Sequence, residues 1–309
     1  MTDEERRRLI RLKTNLKRRA FIYQVIRDYF NGQGFLEIET PVRSPAIAPE
    51  KTIIPVMSEG WFLSTSPELY MKRLLAAGYD KIFQFSRCFR KEERGRHHNP
   101  EFTLLEWYRT GANYEQMMTD TEQIVIKIAH ELGYGNYLKY RVKTIDLTPP
   151  WPRLTISEAY KKLAGWDPLV NPDERRFDED MVIKIIPALD PLRPTFLIEY
   201  PAPMASLARL KPGNHFVAER AEVFIGGLEL ANAYSELVNK EEQAERFRKE
   251  AEQIRKEQGR TAPMPEKFLK AVANMPECSG IALGVDRLVM LFCNAVSIDQ
   301  VMPFTADEA

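Results

Sequence analysis

The stretch RKEERGRHHNPEFTLLEWYR, residues 90–109, gathers arginines, a lysine, glutamates and two histidines around a single glycine and then becomes an alternating strand. Strand side chains point to opposite faces in turn. Arg90 and Glu92 are therefore expected on one face of the first strand, and Phe102, Leu104, Glu106 and Tyr108 on one face of the return strand. A planar guanidinium such as Arg90 can bind phosphate through two parallel hydrogen bonds. Phe102 offers a flat surface to a base, and Glu92 offers an acceptor to an adenine amine. A charged, solvated hairpin fits the same stretch.

GLELANAYSEL supplies a second group, with Glu229 and Glu236 in an otherwise apolar strand of small residues. A carboxylate is costly there without a partner. Paired acids beside phosphate oxygens hold Mg²⁺ or a substrate ammonium; solvated edge glutamates are the plainer alternative. Seven residues separate the two, which on a regular strand means opposite faces. Either a bulge intervenes or one of them ends the strand. In GIALGVDRL, Gly280, Ala282 and Gly284 leave room for close backbone approach to a ligand. Arg287 follows at the start of a helix, where its charge opposes the helix dipole. An anionic ligand explains that placement, as does a salt bridge to Asp286 or another acid. No Gly-Lys dipeptide occurs, so a phosphate loop of the G-x-x-x-x-G-K-[ST] kind is excluded, and no G-x-G-x-x-G follows a strand.

Helical spacing of Leu9, Ile10, Leu12, Leu16, Ile22, Ile26 and Phe30 predicts a helix over 3–33, stopped by Gly32 and Gly34. Strands are predicted at 35–42, 52–57, 61–65, 81–86, 88–92, 101–112 and 195–201, with a hairpin over 219–237 turning at Gly226-Gly227. Helices are expected at 67–79, 114–132, 239–258 and 265–275, and 278–292 reads as a strand running into a helix. The proline-rich segment 136–190 is expected to be an insertion between core strands. Strands separated by hairpin turns rather than regular crossover helices predict an α+β domain with a mainly antiparallel sheet.

The 44 basic and 44 acidic residues of this 309-residue chain cancel, which argues against gripping nucleic acid mainly through phosphates. Cys88, Cys278 and Cys293 form no C-x-x-C pair, so neither a disulfide framework nor a structural zinc site is expected. The charged N-terminus lacks a signal-peptide core and no apolar run is long enough to span a bilayer. A cytoplasmic protein with no membrane association is the expectation.

Taken in order, FLEIETPV, FRKEERGRHHNPEFTLLEWY and GIALGVDRL resemble motifs 1, 2 and 3 of the class II aminoacyl-tRNA synthetases. TSPELYMKRLL, HNPEFT and ELANAYSEL look like segments of the lysyl branch. The resemblance covers nearly the whole chain. It implies a class II synthetase catalytic core spanning 1–309 as a single domain, with ATP and Mg²⁺ as cofactors. In that family the positions of Arg90 and Arg287 grip the α-phosphate and the γ-phosphate end, and Glu229 acts with them. The resemblance also implies that Lys91, Glu92, Asn99, Phe102, Leu230 and Gly284 help hold the nucleotide. Glu229 and Glu236 match acids that hold metal and amino acid. Ser66, Pro67, Glu68, Tyr108, Glu236 and Ala282 surround the amino-acid substrate. Motif 1, with Pro41, implies a homodimer; plain strand packing is the alternative there.

About 34 helix-like residues precede motif 1, too few for the five-stranded OB-fold of lysyl-tRNA synthetases. That combination resembles the elongation factor P lysine ligases, synthetase paralogues that transfer β-lysine to a lysine of elongation factor P. The loop EERGRHHNPEF is closer to their pattern, and Ala282 stands where lysyl-tRNA synthetases place glycine. A methyl on a pocket wall is worth ~1–3 kcal/mol of discrimination. The implied partners are β-lysine and elongation factor P, with no tRNA. A compact tRNA-charging enzyme and a non-catalytic regulatory paralogue are the alternatives. His97 and His98 stand where a base for the acceptor amine could be, though solvated loop histidines are the plainer reading. The loop holding them is the expected first contact with the acceptor protein.

Overall fold

Thr2 starts the first helix. Its hydroxyl accepts from the Glu5 N–H at 3.1 Å while the Glu5 carboxylate accepts from the Thr2 N–H, satisfying two donors the helix would otherwise leave open. In the computed structural model, which describes residues 1–308, this helix runs Asp3–Gly32. It buries Ile22, Val25, Ile26 and Phe30. Phe30 stacks on Phe83 at 4.6 Å and tilts against Trp107 at 5.3 Å, so the helix is anchored on the middle of the sheet.

That sheet has nine strands. Across it lie Leu36–Glu37, Lys81–Phe89, Glu101–Thr110, Cys278–Gly284, Leu228–Ser235, Asn214–Ile225, Thr195–Pro201 and Arg153–Thr155, with Leu210–Lys211 beside Asn214–Ile225. Every neighbouring pair is antiparallel except at the two edges, where Leu36–Glu37 and Arg153–Thr155 pair in parallel. The α+β, mainly antiparallel expectation is met. Helices Asp3–Gly32, Tyr114–Glu131 and Val285–Phe292 contribute to one apolar core with the sheet. Helices Glu68–Ala76, Lys240–Gln258 and Glu266–Val272 share a second, smaller one with Ile82, Tyr108 and Cys278.

Three predicted strands shrink. Of 35–42 only Leu36–Glu37 pairs, because the chain turns off toward Pro41, which has no N–H to donate. Of 52–57 only Met57 pairs, in a small sheet with Trp61–Leu63 and Arg43–Ser44. The stretches 81–86 and 88–92 are one strand that stops at Phe89: Arg90 donates to the Pro100 carbonyl but Pro100 has no N–H to return, Lys91 donates to Ile54 instead, and Glu92 is left-handed (φ 68°). Segment 136–190 holds a separate hairpin, Tyr137–Tyr140 with Lys143–Asp146, and the helices Ile156–Leu163 and Glu174–Asp180. It also supplies the edge strand Arg153–Thr155 of the main sheet, so part of it belongs to the core layer. Among the described residues no helix is long and apolar enough to cross a membrane, and all three cysteines are free thiols.

Candidate active site

On the sheet face away from the first helix lies a cavity of about 440 Å³. Its floor is the return strand Glu101–Thr110, whose Phe102, Leu104, Glu106 and Tyr108 all face it, as alternation requires. The intervening Leu105 and Trp107 enter the core on the other side. Beside it, Leu228–Ser235 turns a carboxylate in at each end. The register slips between Val223 and Phe224, so that Phe224 pairs with Glu229 and Val223 with Ala231. Leu230 is the extra residue of a bulge. Leu230 and Ala231 therefore both touch the core while Glu229, Asn232, Tyr234 and Glu236 line the cavity. Glu236 lies one residue beyond the strand, paired with Ala208 in an isolated bridge. A bulge and a strand end together bring two acids seven residues apart to one cavity.

The lining residues fall into two clusters. Around Arg90 and Arg287 the character is that of an anion site. The Arg90 guanidinium lies 5.1 Å from the Phe102 ring and 3.5 Å from Glu93. Its Nε is buried without a partner, which leaves it a donor to spend on a ligand. Arg287 donates to the Glu229 carbonyl at 2.8 Å, lies 3.5 Å from the Glu229 carboxylate and 2.5 Å from His98 Nε2, and reaches the His97 carbonyl at 3.4 Å. Burial and the Arg287 charge push both histidines below their ordinary pKa, with Arg141 adding to the effect at His97. Both are thereby made weaker bases, and each Nε2 faces a guanidinium, Arg141 at His97 and Arg287 at His98. Asp286 does not pair with Arg287. It binds Arg19 of the first helix at 2.6 Å and accepts the Thr103 N–H at 2.8 Å, tying that helix, the return strand and the helix Val285–Phe292 together.

The second cluster is acidic. Ser66 accepts from the Glu68 N–H at 3.0 Å and donates to Glu106 at 2.7 Å, and Tyr108 donates to the other Glu106 oxygen at 2.9 Å. Glu106 is 1 % exposed. Burial, with the Glu68 charge adding to it, raises its carboxyl to about 8. Lys72, also 1 % exposed, is ion-paired to both Glu68 and Glu236. Burial alone would lower its pKa, but those two acids outweigh burial and raise it, so the ammonium is permanent. Gly280 is required here. A Cβ would overlap the Tyr108 ring and lie 2.7 Å from Glu236 Oε1. Ala282 pairs with Asn232 on one side and Glu106 on the other, and lines the cavity between the clusters.

Most residues singled out in the sequence meet here: Ser66, Glu68, Arg90, Asn99, Phe102, Tyr108, Glu229, Leu230, Glu236, Ala282, Gly284 and Arg287 all line the cavity. Three do not. Glu92 and Lys91 are exposed, near each other at 3.7 Å, because the left-handed turn at Glu92 takes both off the strand; Glu93 occupies the position expected of Glu92. Pro67 caps the helix Glu68–Ala76 from outside the cavity. Asn99 is held by structure, donating to the Glu101 carbonyl and accepting from the Ala306 N–H.

Both acids expected to hold the metal, Glu229 and Glu236, line the cavity. Glu236 is ion-paired to Lys72, and Glu229 lies beside Arg287 and feels the charge of Glu222 on the neighbouring strand, itself ion-paired to Arg220 at 2.6 Å. Burial and the Glu222 charge raise the Glu229 carboxyl. Among the described residues no three His, Cys, Asp or Glu side chains form a metal cage. A Mg²⁺ held by the acids of this cavity would therefore take its other ligands from phosphates and water, its usual habit. Sequence reasoning missed Glu222, Lys72 and Arg220, and also Glu50, which burial raises to about 7 at the cavity wall. It placed Glu106 on the right face without giving it a role.

Compared with known proteins, residues 6–308 match the family described as tRNA synthetases class II (D, K and N). The lysine–tRNA ligase of Dehalococcoides mccartyi is 37% identical over 316 residues, 93% of this chain and 63% of that protein. The elongation factor P–(R)-beta-lysine ligase of Salmonella paratyphi B is 38% identical over 317 residues, 96% of each chain. That of Salmonella schwarzengrund matches to the same extent. This chain thus spans less than two thirds of the lysine–tRNA ligase it matches. With nearly its whole length in the match, the chain belongs to the class II tRNA synthetases of the D, K and N group.

Proposed function

We propose that this protein is an ATP-dependent ligase that activates (R)-β-lysine as an aminoacyl-adenylate and transfers it to a lysine of elongation factor P. What carries this reading is the similarity along 96% of both chains to proteins named elongation factor P–(R)-beta-lysine ligase. The two-cluster cavity supports it. The arginine cluster suits the phosphates of ATP, and the acidic cluster suits a substrate with two ammonium groups.

In the first step a carboxylate oxygen of the amino acid attacks the α-phosphorus of ATP. The new O–P bond forms as the bond to the β-phosphate oxygen breaks, and pyrophosphate leaves. Arg90 and Arg287 hold the phosphates where negative charge develops, and Phe102 takes the base. Glu68, Glu106 and Tyr108 fix the amines, so that the carboxylate points toward Arg90. Positioning and electrostatics supply the acceleration; no enzyme nucleophile is needed. Mg²⁺ at Glu229 and Glu236, with Glu222 beside them, would neutralise phosphate charge. In the second step the acceptor amine attacks the carbonyl carbon, AMP leaves, and the amine loses a proton. His97 and His98 are the candidate acceptors, weakened in that role by the Arg141 and Arg287 guanidiniums at their Nε2 atoms.

Ala282 supports the β-isomer. Its methyl stands between Asn232 and Glu106, where a glycine would leave more depth for the amine. The decisive measurement is ATP–pyrophosphate exchange with α- and (R)-β-lysine, followed by transfer of labelled amino acid to elongation factor P or to bulk tRNA. Exchange favouring β-lysine and label on the factor are expected. Label on tRNA alone would sink this reading.

A further inference from the structure

One edge of the cavity carries cations that neither reaction step uses. The hairpin Tyr137–Tyr140 with Lys143–Asp146 ends in Arg141 and Val142. Its tip is fixed against the rest of the site. Arg141 has φ 55°, and Arg141 N–H donates to Asn294. Tyr140 donates to the Ala295 carbonyl at 3.3 Å, and Arg141 Nη2 lies 3.4 Å from His97 Nε2. His97 in turn lines the cavity. Lys139, Arg141 and Lys143 on the hairpin and Arg96 on the loop beside it are exposed. None of the four has an ion-pair partner among the described residues, whereas nearby Arg94 is neutralised by Asp299 and Asp307. The charged groups acting on His97 are Arg141, Arg287, His98 and Arg96, with no acid among them. At the hairpin's foot, Asp146 is occupied by the Thr148 N–H at 2.9 Å. In a chain of zero net charge, four unpaired cations on this hairpin and the adjoining loop, with Arg141 against His97 of the cavity wall, are a local feature.

We infer that this rim, the hairpin tip with Arg96, is the docking surface for an acidic protein face surrounding the acceptor lysine. The inference rests on the ligase reading. Two observations favour protein over nucleic acid. Val142 is 99 % exposed between Arg141 and Lys143, and Tyr137 on the same hairpin is 61 % exposed. Apolar groups set among cations suit the mixed surface of a protein, and the neutral chain lacks the basic excess of a phosphate-backbone binder. Complementary charge at a rim acts mainly on encounter rate and weakens with salt. It serves a reaction in which the adenylate must wait for a large partner.

The test uses Lys139→Glu/Arg141→Glu/Lys143→Glu, and Lys139→Glu/Lys143→Glu as a second variant that keeps the Arg141 contact to His97. Unchanged ATP–pyrophosphate exchange is expected in both. Transfer from preformed adenylate to elongation factor P should lose roughly 10–100-fold in kcat/KM at low salt, with the gap closing as ionic strength rises. Normal transfer by the folded variants overturns the inference. So does a raised KM for ATP or pyrophosphate in the double variant, which would make the rim a phosphate site. Loss of bulk tRNA binding with transfer intact would make it a nucleic-acid surface and likewise overturn it. If the wild type itself labels no elongation factor P, the ligase reading falls and takes the rim with it.

Discussion

Held between Glu68 and Glu236 and fully buried, the Lys72 ammonium sets the charge of the amine pocket. With Glu106 ionised, the three acids and Lys72 leave a formal charge of minus two, matching a substrate with two ammonium groups. Lys72→Met keeps the volume and removes the charge. Breaking a buried ion network on one side costs about 3–5 kcal/mol, so urea denaturation should show a loss of that order. The KM for the amino acid should rise at least tenfold while the KM for ATP stays near wild type. Glu106 titrates in an unusual window. Burial raises its carboxyl to about 8, against ~4.3 in an unfolded chain. The folded state therefore holds the proton more tightly, and the stability this contributes is present below about pH 4 and lost as pH rises through 8. Urea midpoints of the wild type should fall between pH 5 and 9, and Glu106→Gln should flatten that fall. A substrate ammonium needs the ionised acid, so the amino-acid KM of the wild type should drop from pH 7 to 9. Neither residue announced itself in the sequence. ELYMKRLL gives Lys72 the look of a solvated helix lysine, and only the fold shows that it points inward.

Gly280 shows how strands set the pocket's dimensions. Its strand crosses Tyr108 on one side and Tyr234 on the other, and the missing side chain is the space the Tyr108 ring fills. Gly280→Ala should displace Tyr108, raising the amino-acid KM by tenfold or more with little change in the KM for ATP, as steady-state kinetics would read. At this scale much was legible. The turn at Gly226-Gly227 and the strand Thr195–Pro201 follow directly from turn residues and β-branched runs. The facing of Phe102, Leu104, Glu106 and Tyr108 follows from alternation alone. The Glu229–Glu236 problem was posed correctly by period, but which residue bulges depends on the partner strand, and that is a tertiary choice. The assignment of Glu92 failed for a related reason. Alternation was carried three residues past Phe89, where the strand ends, to a residue whose own backbone is left-handed.

Over the whole molecule, distant segments converge on the arginine end of the cavity. Asp286 binds Arg19 from the first helix and the Thr103 N–H from the return strand. The C-terminal Ala306 N–H reaches Asn99, and Arg94 on the same loop pairs with Asp299 and Asp307. Asp286→Ala would strand a mostly buried guanidinium and a buried N–H together. A loss of about 3–5 kcal/mol is expected, with a several-fold rise in the KM for ATP because Arg287 is the next residue on that helix. Chemical denaturation and exchange kinetics check both. The strand that floors the cavity leaves one more consequence. Its even-numbered side chains line the cavity while Trp107, between Glu106 and Tyr108, lies in the aromatic core against Phe30 and donates to Asp120 at 3.3 Å. An indole so placed is a native optical probe. The chain has three other tryptophans; with those replaced by Phe, the emission of Trp107 is expected to report a change of charge at Glu106, its neighbour in the chain.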